Sequence, residues 1–412
     1  MTKPNAADRD LWRDLAPQVL VRLLRQHGSD QFDRCEDAVQ EALLAAHRQW
    51  PQAMPQDPHA WLVTTARRRY VDAVRSDSRR RDREQRFAEL EGHLAEAIAP
   101  APAQDDTLRL IELCCHPALT RPGQIALTLR AVGGLSTPQI AHAYALPEAT
   151  IAQRIVRAKR RLREAGATFP PAVAAHERLP AVLAVLYLMF TEAHHTTAGN
   201  PATDTELAVE AIRLMRLVAA VADDTEATGL LALMLLTQAR QPGRISESGE
   251  LIPLDEQDRA LWNPGLIEEG LDLLDHAVPG ATPGPYLLQG CIAGLHAHAE
   301  STETTDWHEI RAIYRLLQRQ SPTNASIAVN AAVAEAMVAG PEAGLAALAA
   351  LSPQPPRAQS VAAHLFERIG DADSAAEAYR RAIKHTTSTA ERNYLHRRLA
   401  ALSGGTSTSE GQ

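Results

Sequence analysis

At 412 residues the chain is too long for a single compact core and calls for two or three domains. Its formal charge of −8 hides an asymmetry: residues 1–168 carry 25 Lys and Arg against 21 Asp and Glu, and the remainder carries 17 against 29. A mildly basic front can face a polyanion, whereas an acidic rear reads as a solvated surface. Four cysteines, Cys35, Cys114, Cys115 and Cys291, make no disulfide framework in a chain of this size, and the opening MTKPNAADRDLW has no apolar signal core, so a reducing cytoplasm is the expected home. The longest apolar run, Leu179 to Phe190 interrupted by Pro180, is about half the roughly 20 residues that a membrane helix needs. It predicts a buried core helix.

Apolar residues recur at spacings of three and four along almost the whole chain, and alternating Val/Ile/Thr-rich runs are absent, so the sequence predicts an all-α protein. The first clear element is DRCEDAVQEALLAAHRQWP from Asp33, with Val39, Leu43, Ala46 and Trp50 on one face and Asp37, Gln40 and Glu41 on another. Periodicity alone makes those three polar residues an ordinary solvated stripe as readily as a binding face. After a turn at Pro51, Pro55 and Pro58 comes HAWLVTTARRRYVDAVRSDSRRRDRE, whose apolar face is Trp61, Leu62, Thr65 and Ala66. From Arg67 to Glu84 it holds eight Arg and four acids, a density suited to releasing counterions from a nucleic-acid backbone or to meeting an acidic partner. Trp61 and Tyr70 add rings on which unstacked bases can lie.

The stretch EGHLAEAIAPAPAQDD, with two Pro and five Ala, reads as a linker. Beyond it, LSTPQIAHAYALPEATIAQRIVRAKRRLRE carries the strongest local signal. Ser136 is a good N-cap and Pro138 fits a first helical turn. Ala145, Leu146 and Pro147 make a turn, and the next helix has a buried stripe of Ile151, Ile155, Ala158 and Leu162. Thr150, Gln153, Arg154, Arg157, Arg160 and Arg161 are left on the exposed face. This is the pattern of a helix-turn-helix, with small Ala141 at the crossing and the second helix suited to the major groove. Arg and Gln near its start can read base edges, and its basic tail can hold phosphates.

A second break, GATFPPAVAAHE, separates the basic front from the acidic rear. Near the far end, Gly370, Ala375, Tyr379 and Ala382 are spaced as in the second helix of a helical-hairpin repeat, and stacked hairpins leave a concave groove. His194 with His195, and His296 with His298 near Glu300, lack the i, i+4 spacing and third ligand of a helical zinc site. Cys114, Cys115 and His116 read as small residues closing a helix. No Gly-rich phosphate loop or nucleophile motif is present, so no enzyme, cofactor or metal is expected.

The strings EDAVQEALLAAHRQW, HAWLVTTARRRYVDAVRSDSRR and LSTPQIAHAYALPEATIAQRIVRAKRRL, in this order, resemble regions 2 and 4 of extracytoplasmic-function (group 4) RNA polymerase sigma factors. The resemblance implies that Asp37, Gln40 and Glu41 match the D-x-x-Q-E face that grips the clamp helices of the polymerase β′ subunit. It assigns Trp61, Arg67, Arg68, Tyr70, Arg75, Arg79 and Arg80 to the −10 element, and Glu148, Thr150, Gln153, Arg154, Arg157, Lys159, Arg160 and Arg161 to the −35 element. Ala145 departs from the Gly common in such turns, and Ala152 with Gln153 replaces a common Lys-Ser, so no promoter sequence carries over. The strings LPAVLAVLYLMFTEAHHTTAG, PLDEQDRALWNPGLIEEGL and NAAVAEAMVAGPEAGLAALAAL resemble the tetratricopeptide-like C-terminal extension of a subgroup of these sigma factors.

The expected organisation is region 2 over 8–88, a linker over 89–107, region 4 over 108–166, a helical TPR-like extension over 176–404, and a disordered tail over 405–412. The expected function is promoter-specific initiation with core RNA polymerase, through the β′ clamp helices and β flap, on promoter DNA. The extension is expected to regulate it, by docking within the chain or by holding a protein or peptide in its groove. The alternative is a helix-turn-helix regulator with a TPR-type sensor that does not act as a sigma subunit.

Overall fold

The computed structural model describes residues 6–84, 103–144, 146–168, 175–195, 201–246, 250–386 and 388–405. Among them the regular elements are helices, and the β structure is one isolated bridge between Ile245 and Leu251. The helices fall into two units, Met1–Ala193 with Pro201–Ala222, and His194–Asn200 with Asp223–Gln412.

In the first unit, α1 (Ala6–His27), α2 (Phe32–Gln49) and α3 (Pro58–Glu84) pack on one another. Val39, Ala46 and Trp50 of the predicted α2 face are buried, alongside Leu62 and Ala66 of α3. Trp50 is the hub of an aromatic chain, stacked on Trp12 at 4.7 Å and edge-on to Trp61 at 5.6 Å. Next come α4 (Ala103–Cys114), α5 (Arg121–Ala131), α6 (Thr137–Ala143) and α7 (Glu148–Glu164). At the start of α6, Ser136 Oγ accepts from the Gln139 amide at 3.4 Å while Gln139 Oε1 accepts from the Ser136 amide at 2.8 Å, a reciprocal capping box. Ile151, Ile155, Ala158 and Leu162 of α7 are buried as the periodicity predicts. Cys114 and Cys115 are fully buried and their thiols pushed up by burial, Cys115 to about 12, so they serve as packing groups at the end of α4. Gln124 donates to the carbonyls of Cys115 (2.9 Å) and His116 (3.1 Å), satisfying the end of that helix.

Two further helices belong to this unit, α8 (Ala175–His195) and α9 (Pro201–Ala222). The apolar run of α8 is a core helix in which Val182, Val185, Leu186 and Met189 are fully buried. α9, in which Leu214, Met215 and Val218 are fully buried, packs against α4 and α6, and Arg213 reaches Asp14 of α1 at 3.1 Å. The structural division therefore falls after Ala222, whereas the composition shift sits near residue 170. The charge balance along the chain and the packing of the apolar face of α9 are separate properties.

The second unit runs through α10 (Thr225–Ala239), α11 (Pro264–Ala277), α12 (Pro285–His298), α13 (Trp307–Gln320), α14 (Ala325–Ala339), α15 (Pro341–Ala349), α16 (Pro356–Ile369), α17 (Ala372–His385) and α18 (Thr389–Gly405). Each helix packs chiefly on those nearest in sequence, as in a helical repeat array. Asp224, Asn263, Asp306, Asn324 and Asp371 cap α10, α11, α13, α14 and α17 by accepting backbone N–H bonds, each stabilising by about 1 kcal/mol. Gly229 lets α10 meet α12 at contact distance, because a Cβ there would lie 2.5 Å from Leu287 Cα. Ala375, Tyr379 and Ala382 are buried, and Gly370 ends α16 in the left-handed conformation at φ 82°. The Tyr379 hydroxyl donates to Glu367 at 2.7 Å, and Arg398 of α18 donates to the same carboxylate at 2.7 Å.

One cluster in this unit is built differently. Arg240, Arg244 and Arg259 gather near Trp262 and His296, and burial, together with their mutual repulsion, holds Arg240 down to about 10. Stacking on a desolvated Trp offsets about 2 kcal/mol, whereas burying a cation costs several kcal/mol. The ring does not balance the charge.

Candidate polymerase and promoter interface

Asp37, Gln40 and Glu41 are all exposed along α2. Glu41 lies 3.6 Å from Arg69, an exposed pair that leaves both groups accessible. Burial and the neighbouring Glu36 push the Asp37 carboxyl upward, with Lys159 opposing them. Along α3, Arg67, Arg68 and Arg75 are exposed and Trp61 is half-buried against Trp50, while the Arg79 and Arg80 side chains lie outside the described residues. On α7, Glu148, Gln153, Arg157, Arg160 and Arg161 are exposed and Thr150 and Arg154 are half-buried. Arg160 pairs with Glu164 one turn on at 3.4 Å.

Two residues that the sequence resemblance assigns to DNA are placed otherwise. Tyr70 is 8% exposed and its ring stacks on His27 at 3.8 Å, so it packs α3 on α1 and does not present a face to a base. Lys159 turns away from the exposed face of α7 and bonds Glu36 Oε2 at 2.5 Å and Asp33 Oδ1 at 2.9 Å. Burial alone would lower its ammonium, but Glu36 and Asp33 hold it raised. Its position follows from the helix: the buried stripe Ile155, Ala158 and Leu162 brings residue 159 to the edge of the packed side.

These contacts form a cluster that sequence reasoning misses. Glu36, 7% exposed at its side chain, accepts from Arg130 Nε of α5 at 2.7 Å with its other oxygen. Arg163 reaches Asp33 at 3.1 Å, and Ser29 Oγ donates to the Ala167 carbonyl. The helix that carries the D-x-x-Q-E face is thus bolted to α5 and α7 through its adjacent turns. The available hint was slight: Asp33 and Glu36 are spaced i, i+3, and Lys159 is one of few lysines in an Arg-rich chain.

In the second unit, a cleft of about 130 Å³ is lined by Arg311, Arg315, Gln318, Glu335, Ala347 and Leu351. Both arginines already face Glu335, at 3.2 and 3.6 Å. Among the described residues no cluster of His, Cys, Asp and Glu could hold a metal ion, and no helix is long and apolar enough to cross a membrane.

A helix-turn-helix beside a helical module with an acidic face and an Arg-rich helix is the pattern of a DNA-binding protein. Residues 11–80 match the family Sigma-70 region 2 and residues 109–162 match Sigma-70, region 4. Residues 178–278 match a family of unknown function, DUF6596. An uncharacterized protein of Rhizobium meliloti (strain 1021) is 39% identical over 96% of this chain and 97% of its own length. The ECF RNA polymerase sigma factor SigK of Mycobacterium ulcerans (strain Agy99) is 32% identical over 35% of this chain and 76% of its own. A thermophilic TPR protein of Thermus thermophilus is similar over 49% of this chain and 93% of that one, with 18% identity and a TM-score of 0.33. The chain belongs to the sigma-70 family, as a sigma factor of the extracytoplasmic-function type that carries a C-terminal helical extension.

Proposed function

We propose that this sigma factor grips the β′ clamp helices of core polymerase through Asp37, Gln40 and Glu41. In the same reading Trp61, Arg67, Arg68, Arg75, Arg79 and Arg80 engage the −10 element. Glu148, Thr150, Gln153, Arg154, Arg157, Arg160 and Arg161 engage the −35 element, with the region 4 domain resting on the β flap. The observation that carries the reading is the joint exposure of the α2 acidic face and the α7 basic face, one in each sigma module. It works without catalysis, in the cytoplasm, and the extension controls it.

The Glu36 cluster gives that control a place to act. Lys159 and Arg163 are spent on Glu36 and Asp33 next to the clamp-binding face, and separating these pairs would free both cations. Core polymerase reconstitution with a candidate promoter tests the whole reading. Co-purification with core and defined transcript starts are expected, with Gln40→Ala weakening core binding and Arg157→Ala weakening duplex binding. A chain that binds duplex DNA but never joins core polymerase would be a plain helix-turn-helix regulator instead. Removing residues 223–412, beyond the first unit, tests the extension: unchanged transcription would sink its regulatory role.

A further inference from the structure

In the second unit, Arg240 Nε, Arg259 Nη2, Trp262 Nε1 and His296 Nδ1 are each shielded from solvent without a hydrogen-bond partner among the described residues. They come from separate elements: Arg240 from the end of α10, Arg259 and Trp262 from the turn before α11, and His296 from α12. The guanidinium carbons of Arg240 and Arg259 lie 5.4 and 4.9 Å from the centre of the one Trp262 ring. Arg244 stands close enough to Arg240 to repel it, with exposed Arg357 beyond. Among the described residues no ion pair involves Arg240, Arg244 or Arg259, and the carboxylate that acts on Arg259 is the fully exposed Glu303. Arg259 Nη1 donates to the carbonyls of His296 (2.6 Å) and Ala299, which fixes that guanidinium while leaving Nη2 over. A Cβ at Gly243 would stand 3.3 Å from the indole nitrogen, so glycine there avoids a tight contact with the indole.

Buried charges in folded proteins are paired, and the guanidinium fork is the group best matched to carboxylate and phosphate oxygens. Arginine is abundant throughout this chain, but Arg213, Arg311 and Arg398 each pair with a carboxylate, whereas among the described residues these three form no ion pair and only exposed Glu303 acts on Arg259. We propose that Arg240, Arg244 and Arg259, with the N–H of Trp262 and the ring of His296, form a binding site for an oxyanion, a phosphate or carboxylate group. The anion supplies negative charge that no ion pair among the described residues gives these cations, and binding it stiffens the junction of α10, α11 and α12. The site uses none of the residues assigned to polymerase or promoter, and its failure would leave the sigma-factor reading intact.

The test is thermal unfolding of the full chain at constant ionic strength in chloride, titrated with inorganic phosphate in one arm and a hexaglutamate peptide in the other. A ligand that binds only the folded chain raises the melting temperature with concentration. A rise of a few degrees is expected for the wild type and for Arg380→Gln, an exposed arginine elsewhere in the unit, and loss of the rise for Arg240→Gln/Arg259→Gln. A response to phosphate assigns a free oxyanion, and a response confined to the peptide assigns a carboxylate borne by a polypeptide. No rise with either probe, or the same rise in the double variant from an adventitious ion only, overturns the site. The single variants carry the same comparison if the double variant does not fold, because each keeps one guanidinium on Trp262.

Discussion

The two units each bury a group of charges, and they balance them on opposite terms. In the first, Glu36 spends both oxygens on Arg130 and Lys159, and Asp33 adds a second acid. In the second, Arg240 and Arg259 share a Trp ring, Arg259 bonds two backbone carbonyls and Arg244 repels Arg240, but no ion pair among the described residues joins them. A closed set of charges holds helices together; an open set holds them together only when something else arrives. The sigma modules are thus latched by their own residues, while the extension holds cations that no ion pair among the described residues answers.

The largest expected effect is therefore on the closed set. Removing one member of a buried ionic cluster leaves its partners desolvated and unpaired, at a cost of about 3–5 kcal/mol. Glu36→Gln should destabilise the first unit by that order in chemical denaturation, and Arg240→Met should cost the second unit far less or raise its melting temperature. Equal losses in both variants would erase the distinction between the clusters.

Acid titration sharpens it next. His296 is held down to about 4 from an ordinary 6.5, by burial first and then by Arg240 and Arg259. Because the unfolded chain takes that proton first, the neutral ring stabilises the fold above pH 6.5 and the contribution disappears as pH falls to 4. At about 1.4 kcal/mol per pH unit the full effect is about 3 kcal/mol, and His27, His116 and His364, also lowered, add in the same sense. His296→Phe keeps a ring against Trp307, at 5.2 Å in the wild type, and should flatten the loss of stability between those values. An unchanged acid profile in phosphate-free buffer would mean that the fold does not hold His296 down. Of smaller size, Tyr379→Phe leaves one Glu367 bond unmade and should cost about 1–2 kcal/mol in thermal unfolding, since Arg398 still satisfies that carboxylate.

What the sequence could and could not reveal follows from the range of each interaction. The α7 stripe and the Ser136–Gln139 cap are local, written in spacings of three and four, and both stand where the periodicity puts them. The Glu36–Lys159 bond joins residues 123 apart, and no local spacing encodes it. Tyr70 looked like a stacking platform because an aromatic residue in an Arg-rich run is ambiguous until its neighbours are known; His27, from another helix, decides it. The break after Ala222 was hidden because charge marks the surface of α9 while apolar residues decide where it packs. The open arginine cluster was hidden by abundance, since arginine accounts for most of the basic residues and only pairing separates these three from the rest.

The smallest effect falls on DNA binding and separates Arg157 from Lys159, two neighbours on α7. Arg157 is exposed, so in the proposed complex it neutralises one phosphate and releases about one counterion. Arg157→Ala should weaken duplex binding and lower the slope of log affinity against log salt by about one. Lys159 already has Glu36 and Asp33 as counterions, so binding through it means breaking those pairs before any phosphate is gained. Lys159→Ala should leave the salt slope of the closed chain nearly unchanged and act through loosening of α2 from α7. A salt slope that falls equally for both variants would place Lys159 on the phosphates and show that the latch opens freely in solution.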